Sequence, residues 1–391
     1  MKISIISDFH LGFGTGTERE EDAFEAAKEA MEKSLDSDVI LIAGDMFDTR
    51  VPGTEVFVRA MQLLVKPMKA ENSVRISRGI NKKVEDIPLI KSEGIPVVAI
   101  HGTHERRVKG LLNPVEALER AGFLIYLHCN GVVLEKESEG RKERVCIQGM
   151  SGVPDQFSAG VLEQWNPKPV ENCFNVFILH QSLSPFMYAP HLLPVEKLPW
   201  GFDLYICGHM HEPKKSVYRE SPLIIPGSLV TTQITKESMK PMGFWSFETE
   251  SRKAEFGVIE NQRRVYYMVL DTGKVGREEI EKEIGKILET GHEKKPIVRI
   301  KLKGKEKELL LDGIKAKFQD QAIVSFRKET EEEKIQTKTI EEHRLSVQEL
   351  GKKLLDENLR GSRLNSKTFE HIFELLLENK TDEVINLLSK E

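Results

Sequence analysis

Two aspartates and five histidines stand at or just beyond the ends of five short apolar runs: KISIISDFH, VILIAGD, PVVAIHGTHE, NVFILHQ and LYICGHMH. They are Asp8, His10, Asp45, His104, His180, His209 and His211. Carboxylates and imidazoles together are hard and borderline ligands suited to Mn²⁺, Fe or Zn²⁺, and one carboxylate is free to bridge two ions. Two such ions about 3.5–4 Å apart clamp the attacking and leaving oxygens of a phosphoryl group. A lone histidine at a strand end is more often a surface residue or a satisfied core residue. Here Asp-x-His, Gly-Asp, Gly-x-His, a terminal His and Gly-His-x-His follow one another in order, which points to a single shared binuclear site.

Runs of four to eight β-branched and aliphatic residues read as buried strands, and open α/β sheets gather their sites at strand carboxyl ends. Between the runs, residues 20–35 carry helical apolar spacing at Phe24, Ala27 and Met31, and 54–68 continue the pattern. The segment KAENSVRISRGINKKVEDIP (69–88) is rich in Lys and Arg. It reads as a solvated helix face or loop, or alternatively as a patch facing DNA or a second subunit. From about residue 262 the grammar changes to a small β-α-β-α-β unit: strand 263–271, helix 277–289, strand 296–304, helix 308–318 and strand 322–329. Its middle strand alternates Arg299, Lys301, Lys303 and Lys305, a solvated face or a phosphate-contacting one. Residues 330–343 are polar and read as a linker. Beyond them two amphipathic helices, 347–359 and 366–390, leave Leu350, Leu354, Leu355, Phe369, Ile372, Phe373, Leu376 and Leu377 in need of a covering surface.

The chain has 391 residues, 39% of them hydrophobic and 30% charged, enough for a full core and two or three domains. A net charge of −5 means that any affinity for nucleic acid must come from local basic patches and bound metal. The four cysteines, Cys129, Cys146, Cys173 and Cys207, form no C-x-x-C pair and read as buried free thiols of a reducing compartment. With no signal pattern and no run near the roughly 18 residues of a membrane span, the expectation is a cytoplasmic protein without membrane contact.

The motifs DFH (8–10), GDMFD (44–48), GTHE (102–105), LHQ (179–181), GHMH (208–211) and PGS (226–228) resemble those of the calcineurin-like metallophosphoesterases. Within that superfamily the chain is most similar to the meiotic-recombination-eleven and SbcD nucleases, archaeal type. The resemblance implies an α/β fold of two β-sheets flanked by helices over 1–260 and a small α/β capping domain over 261–329 that grips DNA. It further implies a linker over 330–343 and a C-terminal helical tail over 344–391 that binds a coiled-coil ABC-type ATPase. It also implies two manganese ions per subunit, with Mg²⁺, Fe or Zn²⁺ as alternatives. Asp8, His10, Asp45 and His211 would hold one ion, and Asp45, His180, His209 and Thr103 the other. His104 would be the catalytic proton donor or stabiliser, with Glu105 orienting it. The implied activity is double-strand-break repair: 3′–5′ exonuclease on duplex DNA ends and endonuclease on single strands, as a homodimer and as a heterotetramer with the ATPase. Two positions depart from the family. Thr103 stands where most members carry Asn, which weakens the second metal site, and Asp48 stands where many of these nucleases carry His. A phosphoesterase for small molecules, or a catalytically weak scaffold that binds DNA ends, are the other readings.

Overall fold

In this computed structural model, which describes residues 1–87, 94–108, 110–138, 140–187, 191–303 and 311–328, the apolar runs become the central strands of two facing sheets. The first sheet has six strands. Lys2–Ile6, Val39–Ala43, Val97–Ile100 and Ile125–Tyr126 run parallel, with Ile3 opposite Val39 and Ile40 opposite Val97. The hairpin of Gly243–Glu248 and Lys253–Val258 adds antiparallel to the first strand, with Ile3 opposite Phe247. The second sheet has seven strands. Arg141–Met150, Phe174–His180, Leu204–Gly208 and Ser221–Ile225 form its parallel centre, flanked by antiparallel Lys214–Tyr218 on one side and Asn130–Ser138 then Arg75–Ile80 on the other.

The central strands read as unbroken apolar runs because both of their faces are buried. Ile3, Ile5 and Leu41 pack with Val176, Ile178 and Ile206 in the layer between the sheets. Ile6, Ile40 and Ile42 turn the other way, onto Ala27, Met31 and Leu64 of the helices Asp22–Lys33 and Thr54–Lys69. On the far side, Phe177, Leu179 and Tyr205 meet Leu162 and Trp165 of the helix Asp155–Trp165. The result is the expected α/β sandwich of two sheets flanked by helices. Ala23, Ala26, Ala27 and Ala30 are fully buried on one helix face, so that helix approaches its sheet closely.

The 69–88 segment differs from its expected loop or helix face. The preceding helix runs to Lys69, and Arg75–Ile80 forms the outermost strand of the second sheet, followed by a short 3-10 turn at Val84–Asp86. It pairs only with Asn130–Ser138, with a register irregularity between Ile76 and Arg78. An edge strand with one neighbour and no fully buried face has no need of an apolar run, so its sequence carried no strand signal. The later unit has the expected elements: Val265–Asp271, Ile297–Lys303 and Ile323–Lys328 form a three-stranded sheet, joined by helices Arg277–Glu289 and Leu311–Phe318. Lys305, the linker 330–343 and the helical tail 344–391 lie outside the described residues. By contacts, Met1–Val269, Val275–Ile300 and the described part of 308–326 make one unit, and Leu270–Lys274, 301–303 and 327–328 belong to a second.

All four cysteines are free. Cys146 and Cys207 are buried in strands, whereas Cys129 and Cys173 sit just ahead of strands and are only half-buried, a departure from the expected uniform burial. No helix among the described residues is long and apolar enough to cross a membrane.

Candidate metal centre

The motif residues follow the carboxyl ends of parallel strands in both sheets, where the chain must turn sharply to keep each side chain at the edge. Asp8, His10, Asp45 and His209 all adopt left-handed backbone angles, with φ of 53°, 50°, 47° and 81°. Such conformations are unfavourable for residues with a Cβ and persist where surrounding structure over-determines them, typically at functional sites. Gly208 shows how tight the packing is. A Cβ there would lie 2.0 Å from the Ala43 carbonyl oxygen, so only glycine lets the second sheet's strand end pass the first sheet's.

Three donor groups converge at this edge. The ligand atoms of Asp8, His10 and His211 lie within 4.8 Å of one another, as do those of Asp45, His180 and His209, and His104 forms a third group with His10 and Asp45. Nε2 of His10 is 3.3 Å from Nε2 of His211, which in turn stands 3.5 Å from Asp8 Oδ1. In the second group Nε2 of His180 is 3.1 Å from Asp45 Oδ2, and the Thr103 hydroxyl donates to the same oxygen at 3.3 Å. The other Asp45 oxygen accepts the His104 backbone N–H at 2.8 Å. All eight residues singled out in the sequence are therefore brought to one place, and Asp45 belongs to two of the groups.

The charges are strongly coupled. Burial opposes ionisation of Asp45, yet the charge and hydrogen bond of His180, then His10 and the His104 N–H, hold its carboxyl far below the usual range. Burial likewise opposes the charged form of Asp8, and contact with His211 and the charge of His180 override it to lower its pKa. Burial disfavours a charged His180, but Asp45 and then Asp8 push it up to about 9. His209 goes the other way: burial and the neighbouring His180 push it down to about 4.

This donor set fits divalent cations. Asp8 Oδ1 is fully buried, carries charge and has no hydrogen-bond donor, an arrangement that is costly unless a cation occupies the space it faces. The second nitrogens of the rings are tied so that Nε2 faces inward. His180 Nδ1 donates to the Ala43 carbonyl at 2.7 Å, and His10 Nδ1 to the Asp48 carboxylate at 3.2 Å. Such partners set tautomer and ring orientation at metal sites. The site opens onto a groove of about 680 Å³ lined by Asp45, Asp48, His104, His209 and His211 and by the 228–242 segment.

Two residues play parts that differ from expectation. Glu105 does not orient His104. It is buried, and its two oxygens accept the backbone N–H groups of Phe47 and Gly102, both at 2.8 Å, tying the GDMFD loop to the GTHE loop. Burial and the Asp45 charge push it up to about 8. The partner of His104 is instead Asp48, whose carbonyl takes Nδ1 at 2.9 Å and whose carboxylate lies 3.6 Å away. Reading along the chain also missed Ser228, whose hydroxyl donates to the Asp8 carbonyl at 2.9 Å and whose N–H donates to the His211 carbonyl at 3.0 Å. The PGS motif was the available signal for it.

A two-sheet sandwich that carries strand-end carboxylates and imidazoles in three converging groups, two of them sharing Asp45, is the framework of a metal-dependent phosphoesterase. Residues 1–213 match the calcineurin-like phosphoesterase family, and the chain belongs to it. Among curated proteins it is similar to the DNA double-strand break repair protein Mre11 of Methanopyrus kandleri, 29% identical over 252 residues that cover 58% of this chain and 48% of that one. It is also similar to the human double-strand break repair protein MRE11, 26% identical over 267 residues, 60% of this chain and 37% of that one. The match thus spans less than half the length of each of these two relatives. An archaeal phosphodiesterase of known structure aligns with a TM-score of 0.31 at 13% identity, over 66% of this chain and 99% of that one, too distant to bear on function.

Proposed function

We propose that the chain is a metal-dependent DNA nuclease of double-strand-break repair, a 3′–5′ exonuclease on duplex ends and an endonuclease on single strands. The observation that carries this reading is the sharing of Asp45 between two donor groups at the floor of an open groove, in a chain whose curated relatives are named as break-repair proteins. On this reading residues 1–260 are the nuclease domain and 261–329 cap it and grip DNA. After a linker over 330–343, residues 344–391 bind an ABC-type ATPase. The working form is a cytoplasmic homodimer, and a heterotetramer with the ATPase.

Asp8, His10, Asp45 and His211 would hold one cation and Asp45, His180, His209 and Thr103 the other, manganese before Mg²⁺, Fe or Zn²⁺. Bound there, the pair supplies positive charge for the phosphoryl oxygens and for the attacking water. The protein's own groups do the rest. Asp48 holds His104 at Nδ1–H, which leaves Nε2–H of the doubly protonated ring to give a proton to the leaving oxygen or to stabilise charge on the phosphoryl group. His104 is 44% exposed, so a polymeric substrate lying in the groove can reach it. Thr103 offers a hydroxyl where an amide oxygen is usual, so a metal bound there would have one weaker contact.

The deciding experiment incubates the full chain with manganese and duplex, hairpin and single-stranded DNA, with and without the ATPase, alongside a small chromogenic phosphodiester. Cleavage of DNA supports the reading. Hydrolysis of the small ester with DNA left intact moves the chain to small-molecule chemistry, and DNA binding without hydrolysis makes it a scaffold.

A further inference from the structure

The ligand imidazoles are not equally well supported. His10 and His180 have fully buried side chains, so packing as well as a hydrogen bond sets their orientation. The His211 side chain is 35% exposed. Its ring is therefore free to turn unless something outside the metal cluster holds Nδ1. That contact is the Thr232 hydroxyl, 3.2 Å away. With Nδ1–H donating to Thr232 Oγ1, the lone pair of Nε2 points back toward Asp8 and His10, the direction a ligand must face.

Thr232 is itself held in place from two sides. On one side Ser228 and Leu229 staple the segment to the metal motifs: the Ser228 N–H donates to the His211 carbonyl at 3.0 Å and the Leu229 N–H to the Asp8 carbonyl at 3.2 Å. On the other, Arg19 donates through Nη2 to the Thr231 carbonyl at 2.5 Å and through Nε to Asp22 at 3.2 Å. Asp22 is shared with Arg263, whose Nε and Nη2 donate to it at 2.9–3.1 Å. The side chains of Arg19, Asp22 and Arg263 are 13%, 5% and 10% exposed, so these ion pairs are sheltered from water and keep their geometry. Thr232 lies beyond the 1–213 region that matches the family.

We propose that Thr232 is a positioning residue for the metal ligand His211, held in place by Arg19 from the buried Asp22–Arg263 ion network. The inference rests on the reading of Asp8, His10 and His211 as a metal site and adds the residue that orients the most loosely packed of the three. Losing the outer hydrogen-bond partner of a ligand histidine typically costs 10–100-fold in metal affinity. Thr232→Val keeps the shape and deletes the acceptor. Thr232→Ser keeps the acceptor and deletes a methyl group.

The test is a Mn²⁺ titration of the metal-free 391-residue chain, with free Mn²⁺ followed by electron paramagnetic resonance, so the readout does not depend on activity. The wild type should bind two equivalents. Thr232→Val should weaken one of them by about 10–100-fold and spare the other. Thr232→Ser should restore the wild-type curve, and Arg19→Met should weaken the same equivalent by a smaller factor. If Thr232→Val and the wild type titrate alike, Thr232 has no positioning role. If Thr232→Ser loses affinity as fully as Thr232→Val, side-chain bulk and not the hydroxyl is what matters, and the proposal is overturned. A wild-type chain that binds no Mn²⁺ overturns the metal-centre reading itself, a result distinguishable from either of these.

Discussion

Glu105 is the residue whose removal should be felt most widely, because it stabilises the loops beneath the metal groups without belonging to any of them. Its two oxygens accept the N–H groups of Phe47 and Gly102, each at 2.8 Å, in a place with no solvent access. Glu105→Ala strands both amides. A buried donor left without an acceptor costs about 1–3 kcal/mol, and the cavity left by the missing carboxymethyl group adds about 1 kcal/mol. The expected loss is about 3–7 kcal/mol, a large share of the roughly 5–15 kcal/mol that holds a typical domain together. Glu105→Gln keeps one acceptor and turns an amide NH₂ toward the other N–H, so it should lose about half as much. Urea unfolding of the metal-free chain, followed by circular dichroism at constant pH, measures both variants. The two tied loops carry Asp45 and Thr103–His104, so Mn²⁺ retention should fall in the same order. A Glu105→Ala protein that unfolds within about 1 kcal/mol of the wild type would refute the argument, since even one stranded amide costs that much.

Three further outcomes are expected. His104→Ala should keep Mn²⁺ stoichiometry and substrate affinity while single-turnover hydrolysis falls by about 10²–10⁴-fold, the usual scale of acid–base catalysis; an unchanged rate removes His104 from the chemistry. Thr103→Val, which deletes the hydroxyl that faces Asp45 Oδ2 at 3.3 Å, should raise the Mn²⁺ concentration needed for activity, and Thr103→Asn should lower it. Identical titrations of the wild type and the Thr103→Val variant would show that this oxygen contacts no metal. Acid stability should depend on His101, which burial and then the charge of His128 push down from 6.5 to about 3. The unfolded chain takes up that proton below pH 6.5 and the folded chain does not until about pH 3, so stability falls as pH drops through that window. His101→Gln should flatten the slope, and an unaltered pH profile would sink the assignment.

The residues that converge at the candidate site were legible in the sequence because the central strands are buried on both faces. Burial makes each strand an unbroken apolar run, and the polar residue that ends it becomes conspicuous: Asp8 after KISIIS, Asp45 after VILIAG, His180 at the end of NVFILH. The order of the sheets was not legible. Phe174–His180 and Lys2–Ile6 belong to different sheets, and nothing local says that Asp45 will meet His180 across the sandwich at 3.1 Å. Edge elements were hidden for the opposite reason. Arg75–Ile80 pairs on one side only and is largely exposed, so no hydrophobic pattern marks it.

The residues that support the site belong entirely to tertiary structure. Glu105, Asp48 and Thr232 act through one or two hydrogen bonds each to groups brought near by the fold, and Thr232 reaches a ring 21 positions away in the chain. A hydrogen bond leaves no periodicity in sequence, whereas burial of a whole strand does. Residue types and strand-end positions therefore announced the buried strands and the residues that converge at their ends, while the choice of which oxygen faces which nitrogen was made only by the packing of one sheet against the other.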